Sequence, residues 1–490
     1  MIDSADPRTV AIIEADASYP EQQPFHPDTR YPESPRGYPL STENRVYAAV
    51  RELFATLGFD RERYGTSDWN PLGSLISPGD TVVVKPNLIR EARLSDSAQW
   101  QQVITHGSVV RAVIDYAVLA LQSRGKILIV DGPQTDSSFD LIVERSGLGG
   151  ICEHVRNLGV DCTLMDLRRE RWISQGDVIV ERVQLPGDPE GYVEVPIDAS
   201  SEFIDYPLTG EFYGADYNAA ETASYHRDGR HRYVMCRSVM AADAIIDIPK
   251  LKTHKKTGVT LNLKNMVGVN GLRNCLPHFC VGSPEDGGDE FPPGVSGARL
   301  QSQAIRMFKR VLARRGGRGG SIARLTKHAG ALVFGSTDVR VRSGNWYGND
   351  TAWRMALDVN KALVGFDAQG APRSVPLRFF CLVDGIVGGE GDGPSDPDPR
   401  DCGILVGGLN PVAVDTVASI LMGFDDRQLP VVSRAWNARG VSLVDFGPEE
   451  VKCASNRSEW CGSLARLREA RHLGFRPHFG WQGHVERERA

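Results

Sequence analysis

Lysine is scarce in this 490-residue chain, 11 residues against 45 arginines, yet Lys250, Lys252, Lys255, Lys256 and Lys264 fall within 15 residues. No arginine occurs from 238 to 272. A compact, rotatable ammonium suits a phosphate or carboxylate, and its pKa falls readily on burial. It can therefore act as a base or an imine-forming nucleophile, which a guanidinium cannot. Thr253, His254, Thr257 and Thr260 add hydroxyl and imidazole groups beside Gly258, where backbone can approach a ligand closely. The competing reading, a lysine-rich surface loop, explains poorly why Lys264-Asn265 stands inside the apolar stretch 259–269.

Other charged groups follow short apolar runs that read as buried strands. Lys85 follows 81–84 and leads into Pro86-Asn87; Asp131 follows 126–130; Lys250 comes one proline after 244–248; Asp384 follows 379–383. A further run, 403–406, ends at Gly407-Gly408 and repeats the arrangement. Between the first two runs, Val110, Val113, Ile114, Ala117, Val118 and Leu121 recur at helical spacing, with Ser108 as N-cap, Gly125 as terminator and His106 in the loop before. Strand, helix, strand within about 50 residues marks a parallel crossover unit. The expectation is an α/β fold, a largely parallel sheet with crossover helices and insertions over its carboxyl edge, where loops and helix N-termini gather ligands. Charges that merely mark where strands reach solvent are the bland alternative for any one of these residues.

Carboxylates complement the lysines. The glycine-rich stretch 384–394, with Asp384, Glu390 and Asp392, reads as a loop able to hold Mg²⁺ or to bind phosphate through backbone N–H groups, or as a plain turn. Asp415 lies in an almost wholly apolar helix, 411–422, capped by Asn410 with Pro411 at its first position. A carboxylate buried there needs a cation or hydrogen-bond donors, and a lysine of 250–264 is the expected partner. In 344–360, Asn349 or Asp350 would cap a helix carrying Arg354 and Asp358 on one face, an ordinary surface ion pair or the wall of a small-molecule pocket. Cys275, His278 and Cys280 could supply three metal ligands but lack an evident fourth.

The core is expected over 80–425. Residues 1–79 would lead into it with a strand and a helix, 165–240 and 271–328 would be excursions, and 426–490 a C-terminal extension. Within the second excursion, 283–293 reads as a mobile loop, 301–314 as an amphipathic helix, and the Arg/Gly tract 314–320 as a solvated linker. A net charge of −6 argues against a broad nucleic-acid surface. No apolar run reaches membrane-spanning length, no secretory signal is apparent, and nine scattered cysteines fit reduced thiols, so the expected location is cytoplasmic. His26, His226 and His231 lie in polar loops where solvated histidine is the default.

The segments Val-Val-Lys85-Pro-Asn87, Thr105-His106, Ile-Val-Asp131-Gly-Pro, Pro-Lys250-Leu-Lys-Thr-His254, Thr260-Leu-Asn-Leu-Lys264-Asn265 with Gly268, Val-Asp384-Gly-Ile with Glu390-Gly, and Asn410-Pro-Val-Ala-Val-Asp415 resemble, in order and spacing, the bacterial and archaeal family catalogued as domain of unknown function 362. The resemblance runs from about 80 to 425. The segments around Asn345–Asp350 and 287–292 are similar to an elaborated branch of it. Some members carry ferredoxin-type cysteine motifs, which this sequence lacks. The resemblance implies a fold and no settled reaction.

The residues themselves point to an enzyme acting on a small anionic metabolite. Lys250, Lys264, His106 and His254 are the candidate catalytic groups. Lys85, Asn87, Lys252, Thr253, Thr257, Asn265, Asn349, Asp350 and Arg354 are the candidate substrate contacts. Asp131, Asp384, Glu390 and Asp415 would orient the bases or hold a divalent cation such as Mg²⁺. The chemistry is open between metal-assisted transfer or ligation and lysine-based isomerisation or lysis. A non-catalytic metabolite- or metal-binding accessory protein and an iron–sulfur redox accessory protein are the alternatives.

Overall fold

The computed structural model describes residues 6–35, 37–175, 178–214, 218–295, 341 and 343–488. Eleven strands build the main sheet: β1 (Thr9–Glu14), β2 (Thr81–Pro86), β3 (Lys126–Asp131), β4 (Asp161–Asp166), β5 (Ala244–Ile248), β6 (Lys250–His254), β7 (Gly258–Thr260), β8 (Arg378–Asp392), β9 (Asp396–Gly408), β10 (Lys452–Ser455) and β11 (Gly462–Ser463). Their order is β11–β10–β1–β9–β8–β5–β2–β3–β4, with β6 alongside β8 and β7 on β6. The run β8–β5–β2–β3–β4 is parallel throughout, so the carboxyl ends of its strands share one edge.

Side chains alternate across each strand, and both faces are covered. Val82, Val84, Ile127 and Ile129 enter a core under α1 (Arg45–Thr56) and α2 (Gly107–Leu121). Val83, Leu128 and Val130 enter the opposite core with α4 (Ala352–Gly365) and α5 (Pro411–Met422); a short helix, α3 (Asn262–Asn265), follows β7 directly. Each fully buried Val, Leu or Ile contributes roughly 1.5–3 kcal/mol, enough to fix a one-residue register and thereby which side chains reach the carboxyl edge.

The α/β class and the helix capped by Asn410 are as the sequence indicates; the Asn410 side chain accepts from the amides of Val412 and Ala413. Several local expectations are corrected. The stretch 384–394 is mostly strand rather than loop: β8 runs on through Asp392 and pairs antiparallel with β9 along its length, so the run 403–406 is half of a hairpin and not a parallel repeat. Glycines at 385, 388 and 389 serve this packing, and a Cβ on Gly389 would come within 2.7 Å of the Gln102 carbonyl oxygen. Helix α2 is capped by His106, whose Nδ1 accepts from the Ser108 amide, and it ends at Gln122.

Within 283–293, Ser283, Asp289, Glu290 and Phe291 are buried while Pro284, Glu285 and Pro293 are exposed; Asp289 anchors the stretch by accepting from the amides of Cys280 and Asp350. His226 and His231 are buried side by side, Nδ1 to Nδ1 at 3.3 Å, among Phe203, Phe212 and Tyr233. The expected helix at 301–314 and the Arg/Gly tract lie outside the described residues. Residues 165–240 form a hairpin (Glu170–Gln175 with Val178–Gln184) and a three-stranded sheet of Tyr192–Pro196, Arg230–Cys236 and His226–Arg227. Strands from both ends of the chain, β1, β10 and β11, join the main sheet. No helix among the described residues is long and apolar enough to cross a membrane.

Candidate functional site

The carboxyl ends of β2, β3 and β5 are joined by one buried polar knot. Lys85 Nζ, wholly buried, donates to Asp131 Oδ1 (2.8 Å), Asn265 Oδ1 (3.1 Å) and the Pro86 carbonyl oxygen (2.8 Å), which uses all three of its protons. Asp131 also accepts from the amides of Leu88 (2.6 Å) and Gly132 (2.7 Å). Asn265, at the end of α3, donates to Asp247 Oδ1 (2.6 Å) and to the Lys85 carbonyl (3.0 Å), and its Oδ1 accepts from Asn87 Nδ2 (2.8 Å). Burial pushes the Asp247 carboxyl well above the usual carboxylate range. Gly268 makes room for the ion pair, because a Cβ there would lie 2.3 Å from Asp131 Oδ1 and 2.9 Å from Lys85 Cε.

Beside this knot opens a cleft with about 420 Å³ of space unfilled by atoms, its mouth included. Among the described residues that line it, Asp131 is the one carboxylate. The cations are Lys252, Lys264 and Arg273. Lys252 Nζ donates to the carbonyls of Val103 (2.6 Å) and Pro394 (3.3 Å), and burial, reinforced by Lys250, pushes its pKa well below the ordinary value. Arg273 Nη2 donates to the carbonyls of Gly132 and Pro133, which aims the guanidinium along the end of β3. Lys264 has no hydrogen-bond or ion-pair partner among the described residues. Burial, then Arg273 and Lys85, lower its pKa to about 8.

His254 Nδ1 accepts from the amides of Lys256 (3.1 Å) and Thr257 (3.2 Å), so its proton sits on Nε2. Burial and four lysines hold this ring neutral. Asn87 Oδ1 and Thr260 Oγ1, on two residues of the lining, are buried without hydrogen-bond partners among the described residues. Unsatisfied buried polar atoms are costly, and a bound ligand is one way to satisfy them.

A second lysine centre lies next door and is closed. Lys250 Nζ donates to Asp384 Oδ2 (2.6 Å) and Tyr19 Oη (2.7 Å); Tyr19 Oη donates to Asp384 Oδ1 (2.6 Å). Asp384 Oδ2 also accepts from the His106 amide (2.9 Å), and the His106 ring stacks on Tyr19 and Trp100, with centroids 4.0 and 5.2 Å away. Lys250 and Asp384 are fully buried and His106 nearly so, and none of the three lines the cleft.

Of the residues singled out in the sequence, the structure gathers Asn87, Asp131, Lys252, His254, Lys264 and Asn265 at the cleft, with Lys85 directly behind. Thr253 and Thr257 bond the carbonyls of Gly391 and Val259 and tie strands together. The four carboxylates considered for a metal do not converge. Asp131 and Asp384 hold their lysines, and Glu390 holds Arg400 (2.8 Å) and the Arg476 amide (3.0 Å). Asp415 takes no lysine: it accepts from the amides of Asn262 (2.8 Å) and Leu263 (2.9 Å) and from Asn262 Nδ2 (2.7 Å), anchoring the start of α3, and burial pushes it up to about 7. Among the described residues no group of three His, Cys, Asp or Glu side chains is placed to hold a metal ion, the Cys275–His278–Cys280 set included.

Asn349 Oδ1 accepts from the amides of Thr351 and Ala352 where α4 begins, although the residue at the cap position is Thr351 and neither expected candidate. Arg354 pairs with Asp350 (2.8 Å) and not with Asp358, which instead holds Lys361 and Ser201; the three candidate contacts of this helix lie off the cleft lining. Sequence reasoning missed Arg273, Tyr19 and Asp247. Asp247 sits inside an apolar strand run, and that was a legible signal. Tyr19 and Arg273 had none, since each lies in an irregular segment remote in sequence from what it touches.

The family model described as domain of unknown function DUF362 matches residues 82–190 and 205–419. A curated relative, a thylakoid-associated protein of Synechocystis, is 22% identical over 362 residues, covering 74% of this chain and 69% of its own. A crystal structure of a Thermotoga maritima protein aligns over 75% of this chain with 10% identity and a TM-score of 0.29, and the chain spans about half, 55%, of that protein's length. The cleft, the knot behind it and most of the sheet fall inside the matched residues, and the chain belongs to the DUF362 family.

Proposed function

We propose that this protein is an enzyme that binds a small phosphate- or carboxylate-bearing metabolite in the cleft at the carboxyl edge of the parallel strands. The observation that carries the reading is the charge balance of the lining: Lys252, Lys264 and Arg273 face a cleft in which the one carboxylate among the described residues, Asp131, is already engaged by Lys85 and two amides. Carboxylates that could have neutralised the cations are spent on holding the scaffold, so an anion from outside completes the site. Arg273, with its Nη2 pinned, presents its remaining N–H groups as a fork for an oxyanion.

Lys264, with a pKa of about 8, exchanges a proton near neutral pH. Neutral His254 offers an Nε2–H donor, and the Lys85–Asp131–Asn265 knot holds the far wall fixed. The nine unbridged cysteines support a reducing, cytoplasmic setting.

The test is a thermal-shift and calorimetric screen of phosphorylated and carboxylated metabolites, with NMR of each bound ligand over time. Anions should raise the melting temperature, their neutral analogues should not, and Lys264→Met should abolish the shift. Ligands that bind and stay unchanged would make the protein a binding accessory; no shift with any anion would remove the reading altogether.

A further inference from the structure

Four lysines surround the carboxyl edge, and their surroundings differ in a way that bears on nucleophilicity. An amine attacks through its lone pair, so a lysine held as a multiple hydrogen-bond donor is unavailable until those bonds break. Lys85 donates to three oxygens, one a carboxylate. Lys250 donates to Asp384 and Tyr19, and Lys252 to two backbone carbonyls. Lys264 donates to none of the described residues, lines the cleft, and stands among Lys85, Arg273 and Lys252, cations that disfavour its own charged form. Arg273 is placed to hold an anionic group beside it, because only Nη2 is committed, to the carbonyls of Gly132 and Pro133.

We infer that Lys264 is a carbonyl-directed nucleophile, and that the cleft takes small anions bearing an oxo group, which it binds as an imine on Nζ. The inference rests on the anion-binding reading above. The Nζ lone pair adds to the carbonyl carbon as the C=O π pair moves to oxygen; that oxygen takes up a proton, giving a carbinolamine. Nitrogen loses one proton, the hydroxyl is protonated and leaves as water while the nitrogen lone pair closes the C=N bond, and loss of the last N–H proton from this protonated imine gives the neutral one, so amine and carbonyl become imine and water with no oxidant or reductant. The anionic group on Arg273 and Lys252 would fix the carbonyl against Lys264, and the His254 Nε2–H is available to hydrogen-bond the carbonyl oxygen. Protonated, the imine withdraws electrons from the neighbouring carbon, which is the starting point for isomerisation or carbon–carbon cleavage next to the former carbonyl.

The test treats the full chain with pyruvate, 2-oxoglutarate or dihydroxyacetone phosphate in the presence of cyanoborohydride, followed by intact-mass measurement and peptide mapping. The expected result is one adduct, equal in mass to the probe less one oxygen atom, on the peptide carrying Lys264. Lys264→Arg keeps the positive charge and should reduce labelling to the level of a sample without probe, while Lys252→Met should keep labelling at Lys264 with weaker saturation. Inorganic phosphate should compete. Absence of an adduct with all three probes, or labelling spread over surface lysines and unchanged in Lys264→Arg, overturns the inference. A thermal shift with inorganic phosphate in the same samples separates the two readings: a shift without an adduct removes the imine and leaves the anion site, and neither removes both.

Discussion

Lys250 and Lys264 belong to one stretch of chain and are both lowered in pKa by burial, yet their surroundings are opposite. Lys250 is closed on all sides, with Asp384 at 2.6 Å and Tyr19 at 2.7 Å, and the stacked His106 ring seals the group. Lys264 faces open space beside two other cations. A buried ion pair gains little net stability over an apolar replacement, but it fixes geometry, because removing one partner strands the other. The Lys250–Asp384 pair pins β6 against β8 at its first residue; the register then shifts, and Lys252, opposite Gly389, lines the cleft that Lys250 does not reach. The difference separates lysines that build the edge from those that serve it.

The comparison breaks most sharply at the closed pair. Asp384→Ala should destabilise the fold by about 3–5 kcal/mol in urea denaturation, because it leaves Lys250 buried without its anion. The double change Lys250→Met with Asp384→Leu should recover much of that loss. Equal losses in the single and double variants would show that the pair is not what holds this corner. Next in size, Gly268→Ala drives a Cβ into the Lys85–Asp131 pair and should cost about 1–3 kcal/mol as an overpacked site while also abolishing anion binding. Retained binding in that variant would detach the knot from the cleft. Lys264→Met breaks no hydrogen bond or ion pair with the described residues, so its urea midpoint should stay within about 0.5 kcal/mol of the parent or above it, while anion affinity falls by about tenfold or more. A destabilised Lys264→Met would place Lys264 with the builders.

The elements that carry this division were legible in the sequence, but the division itself was not, since Lys250 and Lys264 read alike there as catalytic candidates. Four of the parallel strands, the charged residue at or just past each of their apolar runs, and the concentration of lysine around 250–264 come from β-branched runs and composition, which are local signals. Which lysine meets which carboxylate is not local. Asp415 looks in sequence like a counter-ion for a lysine, because its helix is apolar all round; in the fold it faces the N-terminus of α3, whose amides reach it first. The glycines of 384–392 suggest a loop, but here small residues let β6, the Gln102 carbonyl and Pro397 close on a strand. His106 looks catalytic by position, yet its backbone amide feeds Asp384 and its ring caps a helix, roles that depend on a tertiary partner 278 residues away.

The pH dependence is the effect most specific to the open lysine. Because burial and neighbouring cations hold Lys264 at about 8 instead of the ordinary lysine value of 10.5, the unfolded chain binds more protons than the folded one between those values, and stability rises with pH across that window. The cost of the buried ammonium is fully present below pH 8 and relieved above it. Anion binding has the opposite slope, since it requires the charged form: affinity for sulfate, whose own charge is constant here, should fall as pH rises through about 8. Titrating sulfate by calorimetry at pH 7 and pH 9, and measuring urea midpoints at pH 8 and pH 10, should show both slopes in the parent and their loss in Lys264→Met. Lys250→Met should leave the sulfate slope in place, because that lysine sits behind its carboxylate and out of the ligand's reach. A sulfate slope that survives Lys264→Met and disappears in Lys250→Met would exchange the roles of the two lysines.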